Sequence, residues 1–213
     1  MRYCRLLGTA LLVMALVAPG LAVADEEAVD ALRERWETIT TEVPESEQEQ
    51  AYAELVDQAT RWVDDNPEEA DARLWRGISL ASQARAKGGT GALGLAKEAR
   101  EDLEKAVELD PDGGNGSAYV TLGALYHRVP GWPLGFGDSD TAEALFQSAR
   151  EIRPDGVDVN YYYAVFLEDE GRDDDAREYA RRAVEGDVRE SRQASDEALR
   201  DKAWELAERL SNR

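Results

Sequence analysis

Apolar residues recur at every third or fourth position along most of this chain, and strict alternation occurs nowhere. From Glu26 to Thr40, Val29, Leu32, Trp36 and Ile39 fall at helical spacing. From Tyr52 to Asp65, Leu55, Val56, Ala59, Trp62 and Val63 share one face, and Asn66-Pro67 ends the run. Residues 41–50 form the turn and helix start between these two. At the other end, Arg192 to Leu210 carries Ala194, Ala198, Ala203, Leu206 and Leu210 among many charges. The predicted class is all-α.

The middle of the chain repeats itself. Ala99, Leu103, Ala106 and Pro111 are spaced 4, 3 and 5, and Ala142, Phe146, Ala149 and Pro154 have the same spacing. Ala176, Ala180 and Ala183 repeat the first two intervals, with Val188 in place of the proline. Ahead of each set stands another helix with a small residue at an equivalent place: Gly77, Gly123 and Ala164, followed by Leu80, Tyr126 and Leu167. Small residues at these positions let two antiparallel helices approach closely, and the larger Leu or Phe fills the gap.

These elements resemble the tetratricopeptide repeat (TPR). The resemblance implies a right-handed superhelical stack of helix-turn-helix repeats with flanking and capping helices. Three TPR-like repeats are expected at residues 70–112, 116–155 and 157–187. Residues 25–67 are expected to form N-terminal helices including a degenerate repeat, and 188–213 a polar-faced C-terminal capping helix. From Ala164 to Ala176 the spacing is the family's usual 12 residues; the corresponding 19 and 22 in the other two repeats leave insertions of 7 and 10. These fall at 130–140 and 88–94. The second is Gly-rich but lacks the Gly-Lys-Ser/Thr ending of a phosphate loop, and it reads as a flexible connector.

The first 24 residues have a different character. Arg2 and Arg5 precede an apolar run from Leu6 to Val17, and Ala22-Val23-Ala24 is the small-residue pattern a signal peptidase reads. Cleavage after Ala24 is expected, giving a periplasmic or secreted product with no stable membrane insertion. Cleavage also removes Cys4, the one cysteine.

In TPR proteins the first helices line a concave face, at positions 2, 5, 9 and 12 when the aligned Gly or Ala is counted as 8. Here those are Asp71, Leu74, Ile78 and Ala81; Ser117, Val120, Ala124 and His127; and Asp158, Tyr161, Val165 and Glu168. The expected groove has an apolar floor of Leu74, Ile78, Val120 and Val165, with Tyr161, His127 and Glu168 at one end. It lacks the Lys/Arg clamp with which some TPR domains hold a carboxylate. Such a floor suits a small amphiphilic ligand or a peptide, although apolar residues on a first helix are equally well explained as packing. Trp132 and Phe136, on the insertion Pro130 to Asp140, either fold back on the array or form a binding surface. With Tyr119, these complete the candidate binding residues.

Composition narrows the function. Forty-five acidic against 25 basic residues give a net charge of −20, which repels nucleic acid. His127 is the one histidine, and no hydrolase, metalloprotease or dinucleotide motif occurs. No catalytic residues, metal ligands or cofactor are therefore expected, and a carboxylate-based enzyme is a distant alternative. Tyr126, Pro130-Gly-Trp-Pro-Leu-Gly-Phe-Gly-Asp138, Pro154-Asp155 and Asn160-Tyr-Tyr-Tyr163 together resemble the TPR component of tripartite ATP-independent periplasmic (TRAP) transporters. That resemblance implies oligomerisation, association with a periplasmic solute-binding subunit, and a cavity for hydrophobic ligands. Two expectations follow: a scaffold that binds a protein partner through the concave face and the 130–140 loop, or a ligand-binding accessory of solute uptake with a closed apolar cavity near Tyr119, Trp132 and Tyr161.

Overall fold

A computed structural model describes residues 19–212, with side chains from Glu27 onward, so the basic and apolar parts of the expected leader lie outside the described residues. The described chain forms α1 (Pro19–Thr41), α2 (Glu45–Asp65), α3 (Ala70–Lys87), α4 (Ala92–Leu109), α5 (Ser117–Arg128), α6 (Ser139–Ile152), α7 (Val157–Asp169), α8 (Asp173–Glu185) and α9 (Gln193–Ser211). A 3-10 turn at Glu190–Arg192 leads into α9. None of the described helices is long and apolar enough to cross a membrane.

The repeat register has a direct geometric cause. A Cβ on Gly77 would stand 2.6 Å from Leu103 Cγ, and one on Gly123 would stand 2.9 Å from the Phe146 ring. Each of these two glycines thus sits on the large residue of its partner helix. Ala99, Ala106, Ala142, Ala149, Ala176, Ala180 and Ala183 are all buried at those same contacts. The pairs α3–α4, α5–α6 and α7–α8 pack antiparallel in this way, with α1–α2 as a looser pair ahead of them.

Two expectations change. The 88–94 segment is not a long connector, because α4 begins at Ala92 and only four residues link it to α3. Both helices run to 18 residues instead, and Ala92 to Gly94 of the insertion belong to α4. The second change concerns the C-terminal helix. Ala194 and Ala198 are exposed; the face that packs is Ser195, Asp196, Ala203, Leu206, Ala207 and Leu210.

That face makes α9 the first helix of a further, unpaired unit. It packs on α8 and α7 as α7 packs on α6 and α5. The inner helices α1, α3, α5, α7 and α9 therefore touch in order. The start of α9 and the 3-10 turn then return to touch α1. The array closes on itself, whereas an open stack would leave its first and last helices apart.

Candidate functional site

The closure is made by charge. The Glu37 carboxylate on α1 accepts hydrogen bonds from Arg192 Nε at 3.0 Å, from the Ser195 backbone N–H at 2.9 Å, and from the Ser195 hydroxyl. Glu37 thus does two jobs, since it pairs a cation and satisfies a free N–H at the start of α9. The Arg192 guanidinium also lies over the rings of Trp36 (4.1 Å) and Trp75 (5.5 Å).

Next to this lies a second set of pairs. Arg189 donates to Asp196 from its backbone N–H (3.0 Å), Nε (2.9 Å) and Nη2 (2.5 Å), and its Nη2 stands 3.0 Å from Asp158. Arg153, just past the end of α6, donates to both oxygens of Asp158 at 2.6 and 2.8 Å. Asp158 and Asp196 are buried. Burial alone would raise the Asp158 pKa, but Arg189, Arg153 and Arg192 together hold it below the ordinary carboxylate value.

These arginines border a cavity of about 220 Å³, walled by Val29 and Arg33 of α1, Asp71, Leu74 and Trp75 of α3, the Gly114–Ser117 turn, and Arg153, Arg189 and Arg192. Asp71, Leu74 and Ser117 are concave-face positions of the repeat register, so the register reaches one wall. The arginines escaped it because they come from α1, from the end of α6 and from the approach to α9. Each of the four arginines is paired with a carboxylate, Arg33 with Asp30 at 2.6 Å, and Asp71 shares the wall with them.

The other candidate residues are dispersed. Ile78 and Val120 are buried, Ile78 in the core around α3 and Val120 against Ala149 and Val159. They form no open floor, which corrects the groove expected from the repeat pattern. Val165 is half-buried against the core around Phe166. Tyr119 is half-buried, and its hydroxyl donates to the Pro111 carbonyl at 2.9 Å. Tyr161 packs edge-on to Tyr162, and Glu168 pairs with Arg209 of α9 at 2.6 Å. His127 Nε2 lies 2.9 Å from Asp169; burial pushes the imidazole below its ordinary pKa, and Asp169 opposes this without restoring it.

The insertion between α5 and α6 splits its two aromatic residues. Phe136 turns inward, edge-on to Tyr126 at 5.2 Å and under the Arg100 guanidinium at 4.5 Å. Trp132 and Leu134 stand in solvent, 90% and 71% exposed. The loop is nonetheless built. Gly135 N–H donates to the Gly131 carbonyl at 3.2 Å, Gly137 N–H to that of Pro130 at 3.0 Å, and Asp138 N–H to that of Tyr126 at 3.0 Å. A Cβ on Gly137 would collide with the Val129 carbonyl, so only glycine permits this fold-back. Asp138 then caps α6, accepting the Thr141 N–H at 2.8 Å.

Comparison with known proteins bears on this architecture. Residues 134–198 match the tetratricopeptide repeat family. A thermophilic TPR protein of Thermus thermophilus is similar in structure, with a TM-score of 0.56 at 17% identity, covering 88% of this chain and 94% of that one. Residues 134–198 thus carry tetratricopeptide repeat sequence. MamA gives a TM-score of 0.48 at 19% identity, covering 76% of this chain and 88% of its own. No curated protein matches the sequence. What distinguishes this array is its self-closure, its arginine cavity and its exposed loop. Among the described residues, no group of His, Cys, Asp and Glu is placed to hold a metal ion.

Proposed function

We propose that this TPR chain is an exported scaffold that binds a protein partner through the loop between α5 and α6. The observation that carries the reading is the exposure of Trp132 and Leu134 on a loop held in shape by its own hydrogen bonds. A large apolar pair on a pre-shaped support is what an interface anchor requires, because little ordering entropy remains to be lost on binding. The inner face serves less well, because α9 returns to α1 across one end and several of its positions are buried. Export rests on Arg2, Arg5, the apolar run and Ala22-Val23-Ala24.

The test is affinity capture of the exported protein beside a Trp132→Ala/Leu134→Ser variant. Loss of a central aromatic anchor costs about 2 kcal/mol or more, or roughly 30-fold in Kd. A partner held equally well by both proteins rules out the loop as its docking site. N-terminal sequencing of the exported chain should begin at Asp25.

A second reading, an accessory of TRAP-type solute uptake, draws support from the presence of a cavity inside the array. The cavity does not include Trp132, and four arginines and Asp71 share its wall with Val29, Leu74 and Trp75.

A further inference from the structure

The loop that carries Trp132 and Leu134 does not stand alone on its edge of the array. The bond from Gly137 N–H to the Pro130 carbonyl brings Asp138 back beside the residues that flank Trp132. The Ser139 hydroxyl then donates to Glu170 at 2.8 Å, so the loop meets the turn between α7 and α8. One continuous edge therefore holds two exposed apolar side chains, with Asp138 and Asp140 around the start of α6 and Asp169 and Glu170 where α7 ends. All four carboxylate residues are exposed.

The charge on this edge is not balanced from within. Arg172 is engaged by Glu143 at 2.7 Å and Asp175 at 3.1 Å, and Arg177 by Asp174 at 2.9 Å. Among the described residues, Asp138, Asp140 and Glu170 make no ion pair. Asp169 faces His127 at 2.9 Å, and burial holds that imidazole below its ordinary pKa, so it is largely neutral near pH 7.

On the reading that this loop docks a protein, we infer that the partner presents an apolar pocket for Trp132 and Leu134 rimmed by lysine or arginine side chains.

The two parts of the edge do different work. A dehydrated aromatic anchor supplies most of the affinity of an interface. The charged rim stays hydrated and selects among pockets of like shape, because like charge across a contact weakens it. Charges act over ~8 Å at physiological salt. The carboxylates beside the anchor therefore choose the partner, and the net charge of −20 spread over the whole chain does not. A pocket with an acidic rim would face four carboxylates of its own sign. The same carboxylates oppose an anionic membrane surface, and a second copy of this chain brings the same net charge.

The probe is a phage-displayed library of random 12-residue peptides, selected on the full chain. Counter-selection uses the Trp132→Ala/Leu134→Ser variant, which keeps every carboxylate. Surviving peptides should combine an apolar or aromatic residue with an excess of lysine and arginine. Their affinity, read by fluorescence polarisation, should fall about tenfold for Asp140→Lys/Glu170→Lys, the worth of two exposed ion pairs. Asp140→Asn/Glu170→Gln keeps an acceptor for Ser139 and should fall by about threefold, which separates charge from loop shape. Glu205→Lys/Glu208→Lys, at exposed positions of α9, changes the net charge equally and should leave affinity unaltered. Loop-dependent peptides without a basic excess overturn the inference and leave the docking loop standing. Equal weakening by the two lysine pairs also overturns it, because net charge would then be the cause. The absence of any loop-dependent peptide overturns both the inference and the reading beneath it. Flotation with phosphatidylcholine vesicles, or self-association, that is lost in the Trp132→Ala/Leu134→Ser variant would overturn the inference in favour of that other occupant.

Discussion

Replacing Glu37 with alanine should open the array at its seam. The carboxylate accepts from Arg192 and twice from Ser195, and all three groups lie in a largely dehydrated contact between α1 and α9. Removing one member of such a pair leaves a buried cation unbalanced and costs about 3–5 kcal/mol. Asp158 and Asp196 are close enough to soften the penalty at Arg192, which favours the low end. The lost acceptor for the Ser195 N–H adds about 1 kcal/mol, the usual worth of an N-terminal cap. The sum is about 4 kcal/mol, and for a chain of this size each kcal/mol moves the melting temperature by about 2–4 °C. A fall of roughly 8–16 °C in thermal unfolding by circular dichroism is expected. Glu37→Gln keeps an acceptor without the charge and should fall in between. Hydrogen exchange should quicken in α1 and the first turns of α9 while α5 and α6 stay protected, because inner repeats depend on their neighbours and not on the seam. Glu34→Ala, one turn away and exposed, is the control. If Glu37→Ala melts with the control, the seam contributes nothing and the argument from closure fails.

Other outcomes follow from the same geometry. Gly77→Ala adds a methyl 2.6 Å from Leu103 and should destabilise by about 1–3 kcal/mol despite the better helix propensity of alanine, as read by urea denaturation. Ala149→Asp should cost several kcal/mol by burying an unpaired carboxylate, and a melting curve unchanged from wild type would contradict the repeat register. The single histidine gives one proton NMR titration, whose midpoint should lie below 6.5. Because His127 binds its proton less readily when folded, its contribution to stability is full above pH 6.5 and is lost as pH falls from there toward the folded value. Asp158 acts in the same direction at lower pH. Its folded pKa lies below 3.8, so its contribution is present above that value and is lost as pH falls through the folded pKa; Asp158→Asn should flatten the acid limb of the stability profile.

Much of the fold was legible because packing constrains it. Gly77 and Gly123 had to be small to lie on Leu103 and Phe146, and that requirement recurs at a countable spacing. The same register placed Asp71, Leu74 and Ser117 on what became a cavity wall. The arginines of that cavity were not legible. Arg33, Arg153, Arg189 and Arg192 share no periodicity, and in a chain with 25 basic residues nothing marks these four until the array closes. The loop shows the same limit. Trp132 and Phe136 both sit among glycines, and only the fold-back of Gly135 and Gly137 decides that Phe136 turns inward and Trp132 outward. The segment 88–94 misled because glycine is read as a breaker, whereas neighbouring helices gave Ala92 to Gly94 enough support to extend α4.

The most direct test of the closed array is the proximity of its two ends. Spin labels at Glu34→Cys and Gln193→Cys in a Cys4→Ser background would report it, since both native residues are exposed and no other cysteine is present. Closure predicts dipolar broadening of the continuous-wave spectrum, which is absent from either single-label protein and lost when Glu37→Ala is added. Sharp, unbroadened lines in the doubly labelled protein would mean that α1 and α9 stand apart and the array is open.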